Sequence, residues 1–184
     1  CFDGKKIAPI TGLTKLGIEK VPPMVTRGVL FDMTKILGVE YLKAGQTFSV
    51  EDLKLAEKKQ GIKVQRGDVV LFHTGWTDAM LEKFPEKWGA EIPGLTPELA
   101  QYLADLEVIA VGSDTYGLDV IPPVNPEEPF QGHVILLQQN GIYILEAMNT
   151  GPLAKDETFE FLFVLGQAKV RGAVQMYINP IAIK

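Results

Sequence analysis

Two histidines, His73 and His133, are the only side chains here whose ordinary pKa lies close to neutrality, so proton exchange at neutral pH has few candidates. His133 opens an apolar stretch behind a proline-rich segment, and Glu146 closes the run Ile142 to Leu145. If the first stretch is a short helix and the second a strand, the return brings both residues to element ends on one edge of a sheet. α/β proteins place their ligands at such edges. Imidazole nitrogen with carboxylate oxygen suits zinc or manganese, but a catalytic zinc site takes about three protein ligands and a closed one about four. Taken alone, the pair stays open between two roles. It is either part of a metal site or a helix-end histidine satisfied by backbone beside an exposed edge carboxylate.

His73 lies in Phe72-His73-Thr74-Gly75-Trp76, where an apolar run meets a glycine turn with an indole beside it. That context either puts His73 and Trp76 at a pocket mouth or turns Trp76 into the core and bonds His73 to the turn. Asp114-Thr115, after another apolar run, suits either ligand orientation or the satisfaction of local backbone groups. Ser113 has no Gly-x-Ser-x-Gly elbow around it, which disfavours a serine hydrolase. Cys1 carries no sign of a lowered thiol pKa, and Gly4 and Gly12 match neither a P-loop nor a dinucleotide fingerprint.

The elements that must position these residues read as α/β. Strands are expected at Val25 to Phe31, Val69 to Phe72, Val108 to Val111, Ile142 to Leu145, Phe159 to Leu165 and Ala173 to Tyr177. Ser49 followed by Asp52 has the form of a helix amino-terminal cap, for a helix that buries Val50, Leu53 and Ala56 and stops at Gly61. Thr96-Pro97 repeats the start signal for Leu99 to Leu106. Pro122, Pro123, Pro126 and Pro129 exclude regular structure and leave a shaped loop before His133. Gly132 to Asn140 fits a short helix closed by Gly141, and Glu82 to Trp88 reads as a solvated connection.

With 184 residues, 46% hydrophobic and 22% charged, the chain has the composition of a globular domain with a core of its own. A net charge of −5, with no basic stripe, disfavours nucleic acid as a partner. No apolar run approaches the roughly 20 residues of a membrane span, so no membrane association is expected. One cysteine allows no internal disulfide and suits a reducing, cytoplasmic compartment.

The order of motifs resembles the cyclase family of kynurenine formamidase and isatin hydrolase. The resemblance runs through Phe2-Asp3-Gly4-Lys5, Thr26-Arg27-Gly28-Val29-Leu30-Phe31-Asp32, Gly67 through Trp76, Pro93-Gly94-Leu95 and Gly112-Ser113-Asp114-Thr115. It continues through His133 with Leu136-Leu137, Gly141 through Glu146, Phe159-Glu160-Phe161-Leu162 and Asn179-Pro180-Ile181-Ala182. The resemblance implies a swivelling β/β/α fold, a mixed sheet with flanking helices, over residues 1–184 as one cyclase-like domain. The family's His-x-Gly-Thr-His-x-Asp signature precedes the segment matched at Phe2 and is absent, so the chain is expected to be the carboxy-terminal two thirds of a member. By the same resemblance His133 and Glu146 match the late metal-site residues, binding zinc or manganese and serving catalysis, while His73 and Trp76 line the substrate pocket. The implied reaction is hydrolysis of a formamide or cyclic amide C–N bond through a metal-bound water, in a homodimer or homotetramer. The competing reading is a small-molecule-binding or structural homologue without the metal; a lyase using the same site is a third.

Overall fold

A computed structural model describes residues 12–184; Cys1, the stretch Phe2-Asp3-Gly4-Lys5 and the rest of residues 1–11 lie outside the described part. In chain order the elements are β1 (Met24–Asp32), α1 (Met33–Leu37), β2 (Thr47–Phe48), α2 (Val50–Gln60), β3 (Val69–His73), α3 (Trp76–Met80) and α4 (Pro85–Trp88). Then come β4 (Gly94–Leu95), α5 (Pro97–Asp105), β5 (Ala110–Ser113), α6 (Gln131–His133), β6 (Tyr143–Leu145), α7 (Gly151–Lys155), β7 (Glu160–Leu165) and β8 (Ile181–Ile183). The main sheet has six strands in the order β6-β5-β3-β1-β7-β8, and β2 pairs with β4 in a small parallel sheet. The main sheet is mixed, because β1, β3, β5 and β6 run parallel while β7 and β8 are antiparallel. The α/β class read from the sequence is the one observed.

The described chain gathers into two compact units, Arg27–Phe161 with Lys184, and the described residues up to Thr26 with Leu162–Ile183. The first holds the parallel strands. All five residues of β3 and the last five of β1 are buried, as expected for strands covered by helices on both faces. Phe48 and Phe31 pack on Phe72 at ring-centroid distances of 4.8 and 6.1 Å, against Leu53 of α2 and Leu99 and Leu103 of α5. Each buried phenyl contributes about 1.5–3 kcal/mol of apolar burial. The helices begin and stop where their residues dictate. Ser49 and Asp52 form a reciprocal capping box on α2, and Gly61 ends it in the left-handed region at φ 72°. Thr96 accepts from Leu99 N at 3.2 Å, and Pro97 occupies the first turn of α5.

In the second unit β7 pairs with β8 through Leu162↔Ile183 and Val164↔Ile181. Leu13 N donates to Gly172 O at 2.8 Å, and Ile18 N to Ala173 O at 2.9 Å. The strand expected at Ala173 to Tyr177 does not form; Val174 and Tyr177 are exposed there, and the ladder to β7 is taken by Ile181–Ile183 instead. Both segments are rich in apolar residues, and only the partner row of β7 decides between them. The connection expected at Glu82 to Trp88 contains the one-turn α4, started by Pro85, with Trp88 half-buried. Among the described residues no helix is long and apolar enough to cross a membrane.

Candidate active site

The register of the parallel strands brings four ionisable residues to one edge. Asp32 lies opposite His73, Phe72 opposite Ser113, and Gly112 opposite Leu145, so the carboxy-terminal ends carry Asp32, His73, Asp114 and Glu146 in order across the sheet. Three of these are buried and bonded into the scaffold. Asp32 caps α1, accepting from Thr34 N at 3.1 Å, Lys35 N at 3.2 Å and Thr34 Oγ1 at 2.6 Å. His73 shares a 2.8 Å hydrogen bond between Nδ1 and Thr150 Oγ1. Asp114 accepts from Thr74 N at 2.8 Å and Thr74 Oγ1 at 2.7 Å, and its backbone carbonyl accepts from Thr77 Oγ1. Burial raises the Asp114 pKa, opposed by the charge of His73 and by the hydrogen bonds from Thr74 and Thr77. Glu146 differs: its side chain is 35% exposed and faces the imidazole of His133.

His133 Nε2 stands 3.4 Å from Glu146 Oε1, so the two residues singled out in the sequence converge. What aims the ring is Asp119, which the sequence reading did not identify. Asp119 accepts from Gly132 N at 2.6 Å and from His133 N at 3.0 Å, and its Oδ2 lies 2.5 Å from His133 Nδ1. It thereby satisfies the first free N–H groups of α6 and holds the ring through one carboxylate. A carboxylate is an acceptor only, so Nδ1 carries the proton and Nε2 is the nitrogen presented to Glu146. Asp119 is itself fixed by backbone pairing, for Leu95 bridges to Asp119 and Ile92 to Ile121. Gly132 has to be glycine, since a Cβ there would stand 2.7 Å from Asp119 Oδ1. The signal available in the sequence was Asp119 just before the proline loop, with Gly132-His133 just after it.

The expected apolar helix at Gly132 to Asn140 is α6 continued by a π-helical turn over Val134–Gln139, and Gly141 follows in the left-handed region at φ 66°. Phe130 adopts φ 58°, a costly conformation for a bulky residue, and its ring meets His133 edge-on at 6.2 Å. With both carboxylates accepting from it, His133 has its pKa raised from 6.5 to about 9, Asp119 contributing most and Glu146 next. A ring nitrogen fixed by a carboxylate behind it, beside a partly exposed carboxylate oxygen, is a donor pair that fits a divalent cation. It supplies two positions of a coordination sphere; among the described residues no group of three or more His, Cys, Asp or Glu side chains is placed to hold an ion.

His73 and Trp76 occupy the interior. His73 is 7% and Trp76 3% exposed, and the Trp76 indole N–H donates to Trp88 O at 3.3 Å. Tyr116 and Trp88 are both half-buried, with ring centroids 5.8 Å apart.

Comparison with known proteins places the fold. A crystal structure described as a novel cyclase superposes with a TM-score of 0.81 at 30% identity, covering 95% of this chain and 59% of that one. An isatin hydrolase bound to the product analogue thioisatinate gives 0.69 at 20% identity, covering 85% and 58%. A protein from Bacillus stearothermophilus, described as a predicted metal-dependent hydrolase, gives 0.56 at 23%, covering 81% and 58%. The chain thus spans about three fifths of the length of these solved relatives. No curated protein matches it. The profile of the cyclase family matches residues 8–120, more than half of the sequence, and the chain belongs to that family.

Proposed function

We propose that the protein is a metal-dependent hydrolase of a formamide or cyclic amide C–N bond, with His133 and Glu146 supplying two of the metal ligands. The observation that carries this reading is the approach of His133 Nε2 to Glu146 Oε1 at the ligand-binding edge of the sheet, with the opposite nitrogen locked by Asp119. A zinc or manganese ion held there would polarise an amide carbonyl and bring the pKa of a water towards neutrality. His133 gives its Nε2 lone pair, Glu146 gives negative charge, and Asp119 keeps the ring oriented and the proton on Nδ1. The Phe130 ring stands edge-on to that of His133, with centroids 6.2 Å apart. His73 and Trp76, expected to line the substrate pocket, are buried at 7% and 3% exposure, so their part in this reading is to hold the structure around the sheet edge, Trp76 through its indole N–H on the Trp88 carbonyl. The relatives named as isatin hydrolase and metal-dependent hydrolase are consistent with this class of reaction.

The test is metal content together with turnover of N-formyl and cyclic amides by the zinc- or manganese-loaded protein. Glu146→Gln keeps the shape but removes the charge, and His133→Ala removes the nitrogen. Both should lower metal occupancy while circular dichroism is unchanged. Unchanged occupancy and turnover in both variants would remove the pair from the site; lost turnover with metal retained would make them acid–base or substrate groups instead. A binding or structural homologue, favoured by the two-donor set among the described residues, would hold metal weakly and turn over none of the amides.

A further inference from the structure

Glu146 is followed by a turn whose backbone is held in a costly conformation. Ala147 adopts φ 51°, in the left-handed region that disfavours a residue with a Cβ. Two bonds to the end of β5 keep it there, from Ala147 N to Thr115 O at 2.7 Å and from Met148 N to Ser113 O at 2.9 Å. The turn therefore sets the direction in which the Glu146 side chain leaves the sheet. A third tie comes from β3. Thr150, 1% exposed, closes the turn with its N–H on Met148 O at 2.9 Å. It stands immediately before α7, where a threonine hydroxyl commonly accepts from a helix N–H, yet this one does not. Its oxygen lies instead 2.8 Å from His73 Nδ1, and among the described residues the hydroxyl has no other partner. A hydroxyl shut off from water has one proton to place and here one acceptor, so it donates to Nδ1. A proton on Nδ1 would set donor against donor and leave the buried O–H without an acceptor. His73 Nε2 has no partner among the described residues in either tautomer, so the hydroxyl decides, and the proton sits on Nε2. That is the opposite tautomer to His133, whose Nδ1–H is set by Asp119.

We infer that His73 is a positioning residue: by accepting from Thr150 on Nδ1 it closes the turn behind Glu146 and so aims that carboxylate at His133. The importance of that aim rests on the proposed function, but the aim itself is measured without metal. In the nitrogen-15-labelled, metal-free protein only two histidine rings give signals, and His133→Ala assigns them. His73 should show a protonated Nε2 and a bare Nδ1. Thr150→Val removes the hydroxyl and keeps the shape. Amide exchange at Ala147 and Met148 should then rise about 2- to 12-fold, the ~0.5–1.5 kcal/mol of a hydrogen bond at about 1.4 kcal/mol per tenfold. The His133 ring signals should move in the direction in which Glu146→Gln moves them, and Thr150→Ser, which keeps the hydroxyl, should restore both readouts. From the other side of the bond, His73→Asn offers an amide oxygen near the place of Nδ1 and should hold the turn, whereas His73→Leu should release it. A proton on Nδ1 of His73, unchanged exchange and His133 signals in Thr150→Val, or equal behaviour of the two His73 variants would overturn the assignment. Zinc affinity is the separate readout. A protein that meets these expectations and binds no zinc keeps the positioning of Glu146 and loses the metal site.

Discussion

Replacing Asp119 with Asn changes one oxygen to an amide nitrogen and almost nothing in shape, yet the geometry leaves the amide no good orientation. Two acceptor oxygens are used, Oδ1 by Gly132 N at 2.6 Å and Oδ2 by His133 N at 3.0 Å and the Nδ1 edge of the ring at 2.5 Å. If the amide oxygen faces His133, its NH2 confronts the Gly132 N–H, donor against donor. If the NH2 faces His133, it donates to Nδ1, forces the proton onto Nε2 and blocks the nitrogen proposed to bind metal. Either way one buried donor loses its acceptor, at a cost of about 1–3 kcal/mol. The expected loss in zinc or manganese affinity is about 10- to 100-fold, the usual effect of removing a carboxylate behind a metal-binding histidine. Competition with a chromophoric chelator measures the affinity, and nitrogen chemical shifts of the His133 ring report the tautomer. Unaltered affinity with Nδ1–H retained would refute the claim that Asp119 aims the ring.

The same contacts govern three other outcomes. In the metal-free protein the His133 pKa is raised from 6.5 to about 9, so this group's stabilisation of the fold is complete below about 6.5 and is lost as pH rises through about 9; metal loading must displace that proton, and apparent affinity should rise up to about tenfold per pH unit until about 9, read by titration calorimetry in buffers of different ionisation enthalpy. Gly132→Ala would drive a methyl to within 2.7 Å of Asp119 Oδ1, and should lower stability by about 1–3 kcal/mol in a denaturant melt while weakening metal binding in parallel. Ser49→Ala removes a cap far along the chain from the site and should cost about 1 kcal/mol, a few degrees in Tm, with metal affinity unchanged.

Legibility in the sequence tracked the range of the forces involved. The capping box at Ser49, the stop at Gly61 and the start at Thr96-Pro97 are local, and each is found where the residue types require it. The buried strand expected at Val69 to Phe72 was equally plain, because a run buried on both faces is apolar along its length; the strand extends one residue further, to His73. The exchange of Ala173 to Tyr177 for Ile181–Ile183 in the ladder was not legible, since pairing depends on which segment reaches β7. At the site, His133 drew attention by scarcity and Glu146 by its place at an element end, but the residues alone left the pair open and only the family resemblance singled it out. Asp119 could not be singled out, because an aspartate before a proline loop looks like any turn residue until Gly132 and His133 return beside it.

The four ionisable residues at the ends of the parallel strands show how one sheet edge divides labour. Asp32, His73 and Asp114 are nearly inaccessible, and their polar atoms meet threonine hydroxyls or backbone N–H groups within hydrogen-bond distance. Buried ionisable groups are tolerated only with such partners, and once engaged they have little capacity left for a ligand. Glu146 sits at the same edge but directly after β6, the strand at the end of the order, and meets an imidazole instead of a backbone donor. A carboxylate that is one-third exposed beside a ring nitrogen can exchange that partner for a cation without breaking the scaffold. The interior residues therefore hold the edge in place, and under the proposed function the chemistry falls to the pair whose partners are replaceable. Substitution of Asp114 should accordingly unfold the edge, whereas substitution of Glu146 should leave the fold standing and empty the site of metal.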